Sequence, residues 1–251
     1  DHYTKSAADT RYVNTTGDTM TGNLGINETS PSGSLHVKGT SSTHGKIILE
    51  AGGSGGSANN NFMEFNKHDG TKLGELEVGE SVTNGGSLVF KTTPSGGSAT
   101  TRMTINHDGI VTKPYQPSFG AYQATANYTI GSGWNKLVSD GTRWNEGSHY
   151  STSNSRFTAP IAGVYHFTAN ANRYQVDADY LFGLAFYVNN SLHTVGNRFY
   201  SRGTSDLIVS MAHTIKLGVN DYIEVYSYSN DSSSGFSSGA MWNTFSGHLV
   251  G

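Results

Sequence analysis

The stretch RFTAPIAGVYHF, residues 156–167, carries the pattern that decides the fold. Its second half runs on as AGVYHFTANA, where apolar and polar side chains alternate as in a half-buried β-strand. The segments LFGLAFYVNN, DYIEVYSYS and MWNTFSGHLV have the same pattern. The alternation is longest in DLIVSMAHTIKL, whose predicted inner face holds Leu207, Val209, Met211, His213, Ile215 and Leu217. These segments predict a β-sandwich or barrel of eight to ten strands.

Separated motifs around this stretch follow one another in a fixed order. Trp144 and Asn145 come before it, and FYVNN (186–190), HTIKLGVNDYIEV (213–225) and TFSGHLV (244–250) come after it. The series, together with Phe157, Ala159, Pro160, Gly163, Tyr165 and Phe167, resembles the signature of C1q-like domains in the C1q and tumour necrosis factor superfamily. The resemblance implies a jelly-roll β-sandwich over residues 115–251 and a homotrimer around a shared axis.

The first part of the chain resembles a different group of proteins. YTKSAADTRYVNTTGDTMTGNLGI (3–26) is similar to the short repeats of bacteriophage tail fibres, and GSLHVKG and TTRMTINHDGIV are similar to their β shaft segments. We therefore expect a tail-fibre stem segment over 1–30, with at most a short helix, and a β-rich trimeric shaft domain over 31–114. Because the chain begins at Asp1, we also expect upstream modules that bind other phage tail proteins.

The predicted shaft consists of short strands separated by glycine clusters. EFNKHDGTKL (64–73) and TINHDGIV (104–111) each place Asp-Gly between two β segments, and Asp-Gly is typical of tight hairpin turns. Each strand offers only two or three apolar side chains on one face. One copy of such a sheet is marginal alone, so the pattern favours three copies around one axis.

Composition excludes several classes of protein. The formal net charge of -3 over 251 residues lacks the basic stripe of a nucleic-acid-binding protein. The sequence contains no run of 18 or more apolar residues, the length that a membrane-spanning helix requires. With no cysteine the chain has neither disulfides nor a thiolate metal site.

The sequence shows no catalytic constellation, so we expect a protein that is not an enzyme. Glu75, Glu77 and Glu80 cluster in LGELEVGE, a pattern that favours exposed strand polarity over a glycosidase pair. His213 is interpreted as a hydrogen-bonded core or trimer-interface histidine, with a role as metal ligand or pH sensor left open. A polysaccharide depolymerase with an active site between chains remains an alternative.

Loop lengths indicate which end of the jelly roll binds. Connections at 189–190 and 218–221 are minimal, whereas those at 172–179, 196–206 and 230–240 are long. Successive connections of an antiparallel jelly roll alternate between its two ends, so the long connections share the end opposite to the minimal ones. If both termini lie at the base, as the resemblance implies, the long loops lie at the distal tip. Their planar and charged side chains suit a glycan or protein receptor. The predicted receptor-binding residues are Arg173, Tyr174, Asp177, Asp179, Arg198, Phe199, Tyr200, Arg202 and Phe236.

The leading hypothesis is a trimeric phage receptor-binding protein on the outside of the virion, which attaches to a bacterial surface glycan or outer-membrane protein. No cofactor is expected, apart from a weak calcium candidate at Asp177 and Asp179, because some C1q-like domains hold calcium near the trimer apex. A secreted C1q-like lectin is a further alternative, with glycosylation acceptors at Asn14, Asn127 and Asn189.

Overall fold

The structure is a computed structural model. It describes residues 24–26, 29–38, 47–49, 60–82, 85–176, 178–203, 205–233 and 235–251, all of them in strands, turns or loops. The mainly β fold class is confirmed over these residues. The predicted N-terminal helix and most of the predicted stem segment lie outside them.

Two short strands pair in parallel near the start of the described chain, β1 (Leu24–Ile26) and β2 (Leu35–Val37). The next strands form an antiparallel meander, here called the N-terminal sheet. They are β3 (Asn60–Asn66), β4 (Lys72–Val82), β5 (Gly85–Thr92), β6 (Thr100–Ile105) and β7 (Val111–Thr112).

Asp-Gly turns join two hairpins of the N-terminal sheet, as the sequence predicts. In the turn between β3 and β4, the Gly70 N–H donates to the Lys67 carbonyl, and Gly70 has a φ of 83°. The turn between β6 and β7 repeats this geometry, with a φ of 81° at Gly109. Only glycine adopts such positive φ values without steric cost, so it fixes where each hairpin closes.

The N-terminal sheet has two unlike faces. One face carries Glu64, Lys72, Glu75, Glu77 and Lys91, which form ion pairs with one another. The register places apolar side chains on the other face, namely Met63, Phe65, Leu76, Val78, Leu88, Phe90, Met103 and Ile105. This second set is here called the apolar face.

Residues from Ser118 onward form a two-layered β-sandwich. Sheet I contains β8 (Ser118–Tyr122), β9 (Tyr128–Thr129), β11 (Gly141–Glu146), β14 (Gly163–Val176), β17 (Ser205–Leu217), β19 (Gly235–Phe236) and β20 (Thr244–Leu249). Sheet II contains β10 (Gly133–Lys136), β12 (Tyr150–Ser151), β13 (Arg156–Thr158), β15 (Leu181–Val188), β16 (Ser191–Tyr200) and β18 (Tyr222–Ser229). The predicted jelly-roll β-sandwich is confirmed as the fold class of this part of the chain, with three two-residue strands among these thirteen described ones.

An aromatic core lies between the two sheets. Phe119 stacks on Phe157 with ring centroids 5.0 Å apart and meets Phe245 edge-on at 4.8 Å. All three rings are fully buried, as are Tyr165 and Phe167 from the stretch that decides the fold. Burial of such large apolar side chains is the main force that holds the two sheets together.

Strand β17 confirms the predicted alternation except at one residue. Val209, Met211, Ile215 and Leu217 are buried, while His213 is exposed. The histidine lies in β17 and lines an open groove between residues 194–197 of β16 and 210–213 of β17. Its side chain therefore contacts solvent and not the core. The interpretation of His213 as a core histidine is therefore wrong for the single chain.

Candidate functional site

The two ends of the sandwich differ in the way the sequence predicts. At the base, the Leu249 N–H donates to the Pro117 carbonyl at 3.0 Å, so the first and last segments of the domain lie side by side. Strand β14 begins next to them at Gly163 and runs 14 residues to Val176, a length of roughly 45 Å. The connection that directly follows Val176 therefore lies at the opposite, distal end, and later connections alternate between the two ends.

Short turns close the base end. Asn189 and Asn190 adopt positive φ values of 50° and 63° in the two-residue turn between β15 and β16. Asp221 ties this turn to the next one, since its carboxylate accepts from Asn189 Nδ2 at 2.7 Å and from the Gly218 N–H at 2.6 Å. These hydrogen bonds lower the pKa of Asp221 below its usual value. These hydrogen bonds tie the two turns of the base end to each other.

The three predicted long connections meet at the distal end. The Asp179 N–H donates to the Ser201 carbonyl at 2.9 Å, and the Leu181 N–H donates to Asn230 Oδ1 at 2.6 Å. The first two connections are shorter than predicted, because β14 continues to Val176 and β16 continues to Tyr200. The third connection contains the short strand β19, which pairs with β14.

Four of the predicted binding residues are exposed near this end. Tyr200 is 65% exposed and Phe199 is 45% exposed, and Asp179 and Arg202 also face solvent. We call these four residues the distal cluster. Tyr174 is half-buried near the end of β14, and Asp177 lies outside the described residues.

Arg173 and Phe236 do not lie on the surface. Both are fully buried, because β14 and β19 pair through these two residues and turn both side chains into the sandwich. The Arg173 guanidinium lies 4.9 Å from the Phe236 ring centroid and 5.1 Å from that of Phe182. Burial lowers the pKa of Arg173 to about 10, while Asp231 favours its charged form. The prediction that Arg173 and Phe236 contact a receptor is therefore wrong.

Comparison with known proteins identifies the sandwich. The C1q domain family matches residues 121–250, slightly more than half of the chain. The chain belongs to the C1q domain family. No curated protein matches it.

Solved structures that resemble the C1q domain are distant in sequence. The globular domain of zebrafish complement 1qA is 17% identical, with a TM-score of 0.37, and the match covers 54% of this chain and 98% of that one. Murine APRIL is 7% identical, with a TM-score of 0.41, and the match covers 54% of this chain and 99% of that one.

Arg198 directly precedes Phe199 in β16 and lies opposite Gly183 of β15. It projects from the outer face of sheet II, where its guanidinium sits 5.1 Å from the Tyr228 ring centroid and 5.4 Å from that of Trp134. The sequence analysis missed these aromatic partners. The alternation in YIEVYSYS places Tyr222, Glu224, Tyr226 and Tyr228 on one face of β18, which is the signal that predicts an aromatic surface there.

The carboxylates of the N-terminal sheet are not simply exposed. Glu75 is only 7% exposed, and its two oxygens accept from Lys72 Nζ and Lys91 Nζ at 2.6 Å each. Lys91 also pairs with Glu77. The hydrogen bonds from Lys72 and Lys91 lower the pKa of Glu75, whereas a glycosidase general acid needs a raised pKa. The expectation of an exposed Glu75 is wrong, and its geometry does not favour the depolymerase alternative.

Metal-binding side chains are sparse in the part of the chain that the structure describes. No group of three or more His, Cys, Asp or Glu side chains suited to a metal ion occurs there. Asp179, the described member of the calcium candidate pair, is an exposed residue with a φ of 66° whose backbone N–H is bonded to Ser201. Over the same residues, no helix is long and apolar enough to cross a membrane.

Proposed function

We propose that the chain is a non-enzymatic, homotrimeric attachment protein of a phage tail fibre, which binds a bacterial surface glycan or protein through the distal end of its C1q domain. The distal cluster is the observation that carries this proposal. Phe199 and Tyr200 expose large rings at the end of β16, next to exposed Arg202 and Asp179. Aromatic and arginine side chains supply most of the binding energy in protein interfaces.

The apolar face of the N-terminal sheet supports the trimer. Met63, Phe65, Val78 and Phe90 lie on it and are all exposed in the single chain. Together they leave roughly 300 Å² of apolar surface in water. The register places them side by side on β3, β4 and β5, so a partner chain would bury them together. The charges of the opposite face already pair with one another within the chain. Burial against a partner chain would therefore stabilise the apolar face more than the charged one.

The tail-fibre part of the proposal rests on the N-terminal sequence resemblance. In a fibre, the trimeric shaft would present the C1q domains on the outside of the virion. Three copies of a weak distal site on one axis would also raise the avidity for a repetitive cell surface.

A receptor-adsorption assay tests the distal site. The double variant Tyr200→Ala with Arg202→Ala should lose adsorption to host cells while its mass in solution remains that of the wild type. The matched control is Lys216→Ala with Val219→Ala, two exposed residues near the base end. Adsorption of the Tyr200/Arg202 variant equal to that of this control would contradict the site assignment.

The two faces of the N-terminal sheet allow a matched test of the trimer. Phe65 is 54% exposed on the apolar face, and Phe62 is 49% exposed on the charged face. Phe65→Lys should weaken the trimer in multi-angle light scattering, whereas Phe62→Lys should leave it intact. A monomeric wild-type chain would overturn the proposed assembly.

A secreted C1q-like lectin is a second candidate, since membership of the C1q domain family suits it equally. Of its three predicted glycosylation acceptors, Asn14 lies outside the described residues. Asn127 accepts a hydrogen bond from the Ser238 N–H, and Asn189 Nδ2 donates to Asp221. A mass shift of the native protein after treatment with an N-glycosidase would favour this candidate over the phage fibre.

A further inference from the structure

The outer face of sheet II carries an unusual concentration of aromatic rings. Every second residue of β18 points outward from the core. The register places rings and charges of the neighbouring strands β10 and β15 directly beside them on the same face. We call this surface the tyrosine face. It comprises Trp134, Lys136, Arg156, Tyr187, Arg198, Tyr222, Glu224, Tyr226 and Tyr228.

Four rings form one continuous row on the tyrosine face. Tyr187 stacks on Tyr226 with centroids 4.0 Å apart, and Trp134 meets Tyr228 at 5.3 Å. Trp134 also lies 6.1 Å from Tyr187, which joins the two pairs. All four side chains are half-buried, so they are held in place while part of each ring remains open to solvent. This row of fixed rings offers apolar surface against which a sugar ring can pack.

Arg198 reaches this platform because Gly183 has no side chain. A Cβ at position 183 would lie 2.8 Å from Arg198 Cγ, which is closer than real Cβ contacts allow. With glycine there, the arginine crosses the sheet from β16 and places its exposed guanidinium over Trp134 and Tyr228. Because the guanidinium is exposed there, its N–H groups are accessible to a ligand. A guanidinium can donate two parallel hydrogen bonds to one carboxylate.

Glu224 organises the other two cations. Its buried carboxylate accepts from Lys136 Nζ at 2.7 Å, and from Arg156 Nε at 2.8 Å and Nη2 at 2.6 Å. Arg156 also lies over the Tyr222 ring, with its guanidinium carbon 3.7 Å from the centroid. Both cations keep about a third of their side-chain surface in solvent, whereas Glu224 keeps 2%.

The resulting charge on the tyrosine face is positive. Lys136, Arg156 and Arg198 face one carboxylate, that of Glu224, so the face carries two net positive charges on a chain whose formal net charge is -3. A neutral sugar would not use this charge. An acidic sugar would combine stacking on the ring row with charge-assisted hydrogen bonds from the cations.

We propose that the tyrosine face is a binding site for an acidic saccharide, in which a uronic acid ring packs against the exposed parts of the ring row and its carboxylate pairs with Arg198. The site is built within one chain and shares no residue with the distal cluster, so it requires neither the trimer nor the attachment function proposed above. Lys136 and Arg156 extend the positive surface for further acidic residues of the same saccharide.

Tryptophan fluorescence of the full chain tests this site. Trp134 is the one of the three tryptophans that belongs to the tyrosine face, so tetragalacturonate should quench the emission in a saturable way. Maltotetraose, a neutral oligosaccharide of equal length, should bind at least about tenfold more weakly. Raising the salt concentration should weaken the tetragalacturonate complex, because the ion pairs on this face are open to solvent.

Two variants and a matched control complete the test. Arg198→Gln should weaken tetragalacturonate binding by about 10- to 100-fold, the effect of losing a charge-assisted hydrogen bond. Gly183→Ala should also weaken it, since the added methyl group displaces Arg198. Lys216→Gln removes an exposed cation of the same domain that lies in sheet I, outside the tyrosine face and the distal cluster, and should leave binding unchanged. The proposal is overturned if tetragalacturonate causes no saturable quenching, if maltotetraose binds equally well, or if Arg198→Gln behaves like Lys216→Gln.

Discussion

Replacing the buried carboxylate of the tyrosine face gives the most direct test of the C1q domain's electrostatics. Glu224→Gln keeps the shape of the side chain but removes the charge that Lys136 and Arg156 share. Removing one partner of a buried ion pair costs about 3–5 kcal/mol, because the other charges are left uncompensated. Here the two cations are 29% and 31% exposed and regain some hydration. We therefore expect a loss of about 2–3 kcal/mol.

Urea unfolding measures this loss. All three tryptophans lie in the C1q domain, so their fluorescence reports on that domain and not on the N-terminal sheet. A loss of about 2–3 kcal/mol lowers the unfolding midpoint by about 1 M urea or more at typical denaturant slopes. The protein concentration must be the same for each variant, since association would stabilise the folded state.

Glu146→Gln is the matched control, since Glu146 is an exposed carboxylate of the same domain. Its unfolding free energy should stay within about 0.5 kcal/mol of the wild type. If Glu224→Gln also stayed within this range, the carboxylate would not be the group that holds the two cations, and the account of the tyrosine face would be refuted.

Three further predictions concern other parts of the chain. Because Lys72 and Lys91 lower the pKa of Glu75 from 4.5, its ionised form stabilises the N-terminal sheet above that pH, and this contribution is lost as the pH falls through the lowered pKa. Glu75→Gln should therefore flatten the acid limb of stability followed by circular dichroism, and an unchanged limb would contradict the ion-pair account. Gly247→Ala should cost about 1–3 kcal/mol in calorimetry, since the new methyl group overlaps the Phe167 ring, and a neutral effect would show that the core yields there. At Asn190, with its φ of 63°, replacement by Val should cost about 1–2 kcal/mol in urea unfolding while replacement by Gly should not, and equal effects would contradict this turn geometry.

The sequence predicted the C1q domain well because its strands have one buried and one exposed face. In β17 the period of two identified Val209, Met211, Ile215 and Leu217 as core residues. The minimal turn at 189–190 was also predicted, since adjacent asparagines tolerate the positive φ values found there. The proposed trimer, in contrast, depends on contacts between chains that one sequence does not specify.

The candidate site was harder to predict, because polar residues do not always end a strand. Residues 172–176 and 196–200 look like loops in the sequence, yet they continue β14 and β16. Arg173 illustrates the consequence. A charged side chain in a supposed loop suggests a surface position, but pairing with β19 turns it into the core against Phe236.

The tyrosine face is hard to predict for a related reason. The alternation in YIEVYSYS predicts a strand with its tyrosines on one face, but it does not show which other rings join them. Tyr187 and Trp134 lie 35 or more residues away in the sequence and join them only through the pairing of β10 and β15 with β18. No local pattern contains this information.

The absence of a side chain at position 183 has a consequence for evolution. The reach of Arg198 across sheet II depends on that absence, so the arginine and the glycine form one unit although they lie on different strands. Among relatives of this chain, we expect arginine at position 198 to occur together with glycine at position 183. Relatives with a larger residue at 183 should have lost the selective pressure to keep the arginine, and this covariation would mark which of them share the same ligand.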